Sequence, residues 1–280
     1  MVVKFYDYTC LTKITNTDYE GEIRKQGDTV IIRSIPDITI EDHNIGDKIT
    51  YTRPSSPSIT MLIDKGKRMA IELDDVIKVQ TDLPLLNKWT DDGSMQMKIS
   101  IETSFFNDST VYAGMAATNT GLTAGRVSAS YNIGTTAAPV TLTKDNILDY
   151  SVDTGSVLDE QNIPEVGRWL VLPTWAIGMI KKSDIKDASL TNDSVSVLRN
   201  GRIGTVDRFE VFSSNLLYHS GTSYYVGLFG TTAAISFATQ LTNTEAMRSP
   251  DSFADRVRGL QVYGYKVVKP EAYGALVCKK

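Results

Sequence analysis

Two histidines, four adjacent acid pairs and one arginine- and glycine-rich stretch are where side-chain type and spacing could support chemistry. His43 lies beside Asp42 in EDHNIGD, a polar loop in which an imidazole reads as solvated. His219 precedes Ser220 in LLYHSGTS, but adjacent residues of an extended chain point to opposite faces, and no G-x-S-x-G elbow surrounds the serine. Glu41-Asp42, Asp74-Asp75, Asp91-Asp92 and Asp159-Glu160 would do acid–base work only if two of them met across a cleft. As neighbours in sequence they read as helix caps or solvated groups. Cys10 and Cys278 lie near opposite ends and lack zinc spacing, so they read as free thiols of a reducing compartment. No catalytic, metal or cofactor-binding residue is assigned, and no cofactor is expected.

The stretch VLRNGRIGTVDRFEVFSSN, Val197 to Asn215, raises the question of phosphate. A Walker loop needs Lys and then Ser or Thr after its second glycine, because backbone amides surround the phosphate while lysine and hydroxyl serve phosphate and metal. Here Thr205-Val206 follow Gly204. A dinucleotide fingerprint needs a third glycine where Asp207 stands. Asn200-Gly201 is a tight-turn signal between extended segments, with Arg208 opening the strand that follows.

Cations cluster only at Lys65-Gly66-Lys67-Arg68, with Arg53 upstream. Three readings stay open: phosphate contacts, a solvated turn, or a charged hook for acidic groups of a neighbouring subunit. With Lys+Arg 29 against Asp+Glu 33 and a net charge of -4, no cationic body holds the chain on nucleic acid. The composition, 41% hydrophobic and 22% charged, excludes wholesale disorder, collagen-like repeats and coiled coil. The longest apolar run, Trp169 to Ile180, is broken by Pro173, Thr174 and Gly178 and falls short of a membrane span. The N-terminus shows no signal peptide.

The elements that must position these residues read as an α+β chain. Thr29 to Ile35 is β-branched and reads as a strand. Ser58 to Ile63 and Met69 to Leu73 read as two arms of a hairpin around a turn at residues 64–68. Helical composition starts at Asp74-Asp75 and is interrupted by Pro84. Asp92 to Ala113 is ambiguous: Met95, Met97, Ile99 and Ile101 alternate, while Met97, Ile101 and Phe105 recur at four-residue intervals. The absence of turn residues favours a long helix. Residues 114–142 read as loop, Ile147 to Gln161 as a helix weakened by Gly155, Arg168 to Leu172 as a buried strand, Trp175 to Lys181 as a short helix, and Gly259 to Val268 as a strand bent at Gly264.

Five segments in this order carry a resemblance: ITNTDYEGEIRKQGDTVIIR (Ile14 to Arg33), LDEQNIPEVGRWLVLP (Leu158 to Pro173), the Val197 to Asn215 stretch, AAISFATQ (Ala233 to Gln240) and RGLQVYGYKVV (Arg258 to Val268). The chain resembles the major capsid proteins of tailed bacteriophages, with the coat fold first known from phage Hong Kong 97. That resemblance implies an N-terminal arm (1–34), an extended β-hairpin loop (35–75), a peripheral domain with a spine helix (76–139), an axial domain (140–240) and a return to the peripheral domain (241–280). It implies a shell of hexamers and pentamers around packaged double-stranded DNA, assembled in the host cytoplasm with portal, scaffolding and decoration proteins, and no membrane. Relatives commonly carry a longer arm or a scaffolding segment ahead of the match, so scaffolding is expected as a separate protein or the chain as a processed one. No cross-linking lysine or asparagine matches a motif. Arg53, Lys65, Lys67, Arg68, Arg199, Arg202 and Arg208 are the candidate intersubunit contacts. An encapsulin-type bacterial compartment shell is the nearest alternative, and an enzyme with an unrecognised acid–base site the third.

Overall fold

A computed structural model describes residues 4–18, 29–33, 35–36, 38–43, 48, 51, 53–80, 85–183 and 204–280. The first regular piece is a single helical turn, α1 (Leu11–Ile14), with Leu11 and Ile14 buried. Strand β1 (Thr29–Arg33) pairs antiparallel with β2 (Ser58–Leu62), Thr29 opposite Leu62 and Arg33 opposite Ser58. Val30 and Ile32 of β1 alternate inward while Ile31 faces out, the period-2 pattern of a ribbon with one covered face.

The hairpin expected over Ser58 to Leu73 is not formed. Two residues after β2 the chain enters β3 (Lys65–Asp74), which joins a different sheet. Strand β3 pairs along ten residues with β11 (Ala254–Val267), and β11 pairs with β10 (Ile235–Arg248). Lys65, Gly66, Lys67 and Arg68, read as a turn, are therefore strand, opposite Tyr263, Val262, Gln261 and Leu260. A ten-residue ladder with a distant strand outweighs a local turn preference. In place of one hairpin, β2 pairs with β1 and β3 with β11, in two different sheets.

Helix α2 (Asp75–Gln80) follows β3, and α3 (Leu85–Phe106) is the long helix. Burial decides its period: Met97, Ile101 and Phe105 are buried, whereas Met95 is exposed. Thr90, Ser94, Thr103 and Ser104 donate their hydroxyls to the carbonyls of Leu86, Thr90, Ile99 and Ser100, so polar side chains that favour turns elsewhere are satisfied within the helix. The helix ends earlier than Ala113. Asp108 breaks it and caps a separate short helix, α4 (Ser109–Ala113), accepting from the Thr110 N–H. Gly93 lets β3 close on α3, because a Cβ there would lie 2.7 Å from the Met69 sulfur.

After residues 114–139, regular only in one 3-10 turn at Ala117–Asn119, a seven-stranded sheet collects the remaining strands other than β10 and β11. Its strands are β4 (Val140–Thr141), β5 (Arg168–Leu172), β6 (Thr205–Val206), β7 (Phe209–Ser213), β8 (His219–Ser220), β9 (Tyr224–Thr231) and β12 (Tyr273–Lys279). The order is β4-β12-β9-β5-β7-β6, with β8 pairing β9. Strand β5 runs antiparallel to β9 and parallel to β7, and all five of its residues are buried. The last strand, β12, thus lies in this sheet beside β9, whereas β10 and β11 belong to the other.

Alternation along these strands builds two cores. Leu170, Leu172, Phe229 and Leu276 face helices α5 (Ile147–Glu160) and α6 (Thr174–Lys182). Trp169, Val171, Leu228 and Tyr273 face the other way, toward α1, α3 and the β10–β11 ribbon. A third cluster joins β1 and β2 to Ala238 and Val262. The expected bend at Gly264 is replaced by a close approach: register runs unbroken through Gly264 opposite Ala238, and a Cβ there would meet the Leu62 carbonyl oxygen at 2.5 Å. The register shift of the β10–β11 pair falls at Leu241/Asn243 instead.

Candidate functional site

Of the seven candidate contact cations, Arg199 and Arg202 lie outside the described residues, as does the Asn200-Gly201 turn. Arg208 does not open the strand. It shares the β6–β7 turn with Asp207, both in the left-handed region at φ 68 and 44. Its guanidinium bonds Asp159 at 2.9 Å and also reaches Glu165. Asp159 in turn binds Arg168 at 2.6 Å, so one carboxylate ties the end of α5 to both the β5 entry and the β6–β7 turn. Burial pushes Asp159 up, and the two arginines more than reverse this, holding it below the usual carboxylate range.

Arg168 explains the NIPEVGRW motif. Its side chain is fully buried, and it donates to the carbonyls of Gly155, Ile163 and Pro164 as well as to Asp159. A planar fork with five donors suits this convergence of carbonyls, which a point charge would not satisfy. Asn162 and Gly167, at φ 58 and 77, turn the chain so that the carbonyls aim at it.

Lys65 is likewise engaged inside its own chain. Its ammonium contacts the Asp108 carboxylate and the Tyr265 hydroxyl and lies 4.0 Å from the Tyr265 ring centroid. Burial raises Asp108, but donors from Lys65, Tyr265 and Thr110 outweigh it and hold the carboxyl far below its ordinary value. Burial first, and then the hydrogen bond to Asp108 and its charge, push the Tyr265 phenol up. Lys67 is half-buried on the helix-facing side of β3, whereas Arg68 on the opposite face and Arg53 between β1 and β2 are exposed. The outer face around Arg68 carries two cross-strand ion pairs, Arg256 with Glu72 and Arg258 with Glu245.

The acids considered for catalysis serve architecture. Asp75 pairs with Arg248, Asp92 with Lys4 and Tyr6, and Glu160 accepts from the Val127 and Ser128 N–H groups. His43 is exposed; His219 stacks on Tyr225 at 5.5 Å, with its Nδ1 3.1 Å from the Leu217 carbonyl. Sequence reading missed Glu102, which is buried and accepts from the Cys10 and Leu11 N–H groups. Burial raises its carboxyl, opposed by those donors. The signal was present: Glu102 stands four residues before Phe106 on the inward stripe of α3. Both thiols are buried, which pushes Cys278 up to about 12.

The acids and most of the cations named above pair within the chain's own framework, while large apolar side chains at Ile35, Ile38, Ile40 and Tyr51 lie uncovered. The sequence profile described as phage capsid protein matches residues 58–277, and the chain belongs to that family. Its fold is the Hong Kong 97-like fold of tailed-phage coats. It is similar to a solved structure from Mycobacterium phage Che8 at TM-score 0.77 and 23% identity, covering 98% of this chain and 93% of that one. The capsid of cyanophage P-SCSP1u follows at TM-score 0.72 and 12% identity, covering 100% and 91%. The capsid of Ralstonia phage GP4 gives 0.62 and 13%, covering 99% and 91%. No curated protein sequence matches. Membership in this family makes the chain a coat protein of the phage head shell and places it in the virion; the compartment alternative is not favoured.

Proposed function

We propose that the chain is the major capsid subunit of a tailed phage, closing as hexamers and pentamers into an icosahedral shell around double-stranded DNA held without sequence recognition. The carrying observation is the ribbon of β1 and β2, whose connection exposes Ile35, Ile38, Ile40 and Tyr51 to solvent with no cover from their own chain. Such a ribbon is costly for a monomer and natural for a subunit that covers its neighbour. In this reading residues 4–18 are the arm, the ribbon is the extended loop, α3 with the β3-β10-β11 sheet is the peripheral domain, and the seven-stranded sheet with α5 and α6 is the axial domain. Assembly takes place in the host cytoplasm, with portal and scaffolding proteins as partners. Arg53 and Arg68, both exposed, are the cations best placed to meet acidic groups of another copy, since Lys65 and Arg208 have partners within the chain and Lys67 is half-buried toward α3. Purified chain should form closed particles in electron micrographs, and a chain that stays monomeric at all concentrations and salts refutes the reading. Reversing Arg53 and Arg68 to Glu should lower particle yield while leaving the subunit's thermal melt unchanged.

A further inference from the structure

Beside the C-terminal end of α3 the seven-stranded sheet carries an open groove of 510 Å³. Sites for small ligands span about 300–1,000 Å³, so the groove has the size of one. Its floor is apolar, from Met115, Val226 and Val277, and Tyr112, Tyr218 and Tyr224 wall it. The rings are tilted against one another in a row, Tyr112 to Tyr218 and Tyr218 to Tyr224 each at 6.2 Å. Their hydroxyls are already used: Tyr112 donates to the Phe106 carbonyl, and Tyr218 and Tyr224 hydrogen-bond each other. The wall is therefore held by its polar tips and offers the groove ring surface, with little rotamer freedom left to lose on binding.

The rim is the reverse of the wall. Ser109, Thr120 and Thr136 line it with hydroxyls that, among the described residues, make no hydrogen bond within the chain. No charged residue lines the groove among the described residues. A stacked nucleic acid is thereby excluded, because its phosphates need cations along the groove. A wholly apolar ligand would cover the rim hydroxyls without partners, at a cost. A neutral sugar suits both halves. Its C–H face packs on the negative face of an aromatic ring, and the hydroxyls at its edge both donate to and accept from serine and threonine.

We infer that the tyrosine-walled groove binds a neutral oligosaccharide, with sugar C–H faces on the rings of Tyr112, Tyr218 and Tyr224 and sugar hydroxyls on Ser109, Thr120 and Thr136. The site lies within one subunit, so it goes beyond the coat reading and does not depend on it. Uronic and sialic acids are disfavoured, since their carboxylates find no counterion in the groove.

Saturation-transfer NMR and calorimetry of the purified full-length chain with maltohexaose, cellohexaose, chitohexaose and mannohexaose test it. At least one should bind with a Kd on the order of 1 mM or tighter, and charged oligogalacturonate should bind about tenfold more weakly or not at all. Tyr218→Ala should weaken the binding about tenfold, whereas Tyr218→Phe should leave it within about twofold, because the sugar meets the ring and not the hydroxyl. Thr136 is exposed, so Thr136→Ala should weaken binding about threefold without moving the melting curve. No binding of any of the four neutral sugars overturns the proposal, as does binding of an uncharged planar probe such as 2-naphthol in their place. Saccharide binding that Tyr218→Ala and Thr136→Ala leave unchanged overturns the groove as its site. Binding to the dispersed subunit that is lost in assembled particles assigns the groove to a neighbouring copy, and overturns the proposal while leaving the coat role standing.

Discussion

Glu102, on the inward stripe of α3, accepts from the backbone N–H of Cys10 at 2.9 Å and of Leu11 at 3.0 Å, although these lie 92 and 91 residues away in sequence. It supplies the cap that Cys10 cannot give α1, whose first N–H groups would otherwise be buried without acceptors. Further along, Asp92 of α3 binds Lys4 at 2.6 Å and Tyr6 at 2.8 Å. Ten helical steps of about 1.5 Å separate the two acids, and four to six extended steps of about 3.3 Å separate their partners. The lengths match, so the arm lies along the helix as a strap held at both ends.

Glu102→Ala should cost about 2–3 kcal/mol, since it strands two buried N–H donors. Denaturant unfolding of the unassembled subunit measures the cost. Limited proteolysis should also cut residues 4–10 faster than in wild type. An arm that remains protected in the variant would show that apolar packing of Leu11 and Ile14 holds it alone.

Asp108 is depressed below its ordinary value of 3.8, so its contribution is fully present above pH 3.8 and is lost as pH falls through the depressed folded value. Asp108→Asn keeps the shape but removes the charge that Lys65 and Tyr265 face. At pH 7 the variant should be less stable by about 1–2 kcal/mol. Below pH 3.8 the gap between wild type and variant should narrow, because the unfolded wild-type chain then takes up a proton that the folded carboxylate still refuses. Urea melts of both proteins at pH 7 and pH 3 check this, and a gap independent of pH would refute it.

Gly264 and Gly178 should respond oppositely to alanine. At Gly264 the new Cβ meets the Leu62 carbonyl oxygen at 2.5 Å and the Ile63 backbone at 3.1 Å, so β2 must move off β11. The cost is about 1–3 kcal/mol. At Gly178, inside α6, a Cβ meets nothing within 4 Å, and alanine should stabilise by about 0.5–1 kcal/mol through helix propensity. Paired thermal melts decide both.

Elements whose evidence is local were legible in the chain. The four-residue spacing of Met97, Ile101 and Phe105 shows which side of α3 is buried, and the apolar run Arg168 to Leu172 is an inner strand. Arg208 and Lys65 read as free cations because their acids, Asp159 and Asp108, stand 49 and 43 residues away. A charge looks available until the fold brings its counterion to it.

The sequence by itself determined the α+β class, the missing phosphate motif and the order of segments that resembles phage coat proteins. These depend on periodicity and residue order along one chain. Only the tertiary structure decided that β2 and β3 part company, that β12 lies beside β9, and that Glu102 caps α1. The physical reason is common to all three: a strand or a buried carboxylate takes whichever partner satisfies its hydrogen bonds over the greatest length. That partner is chosen in space, across dozens to nearly two hundred residues of chain.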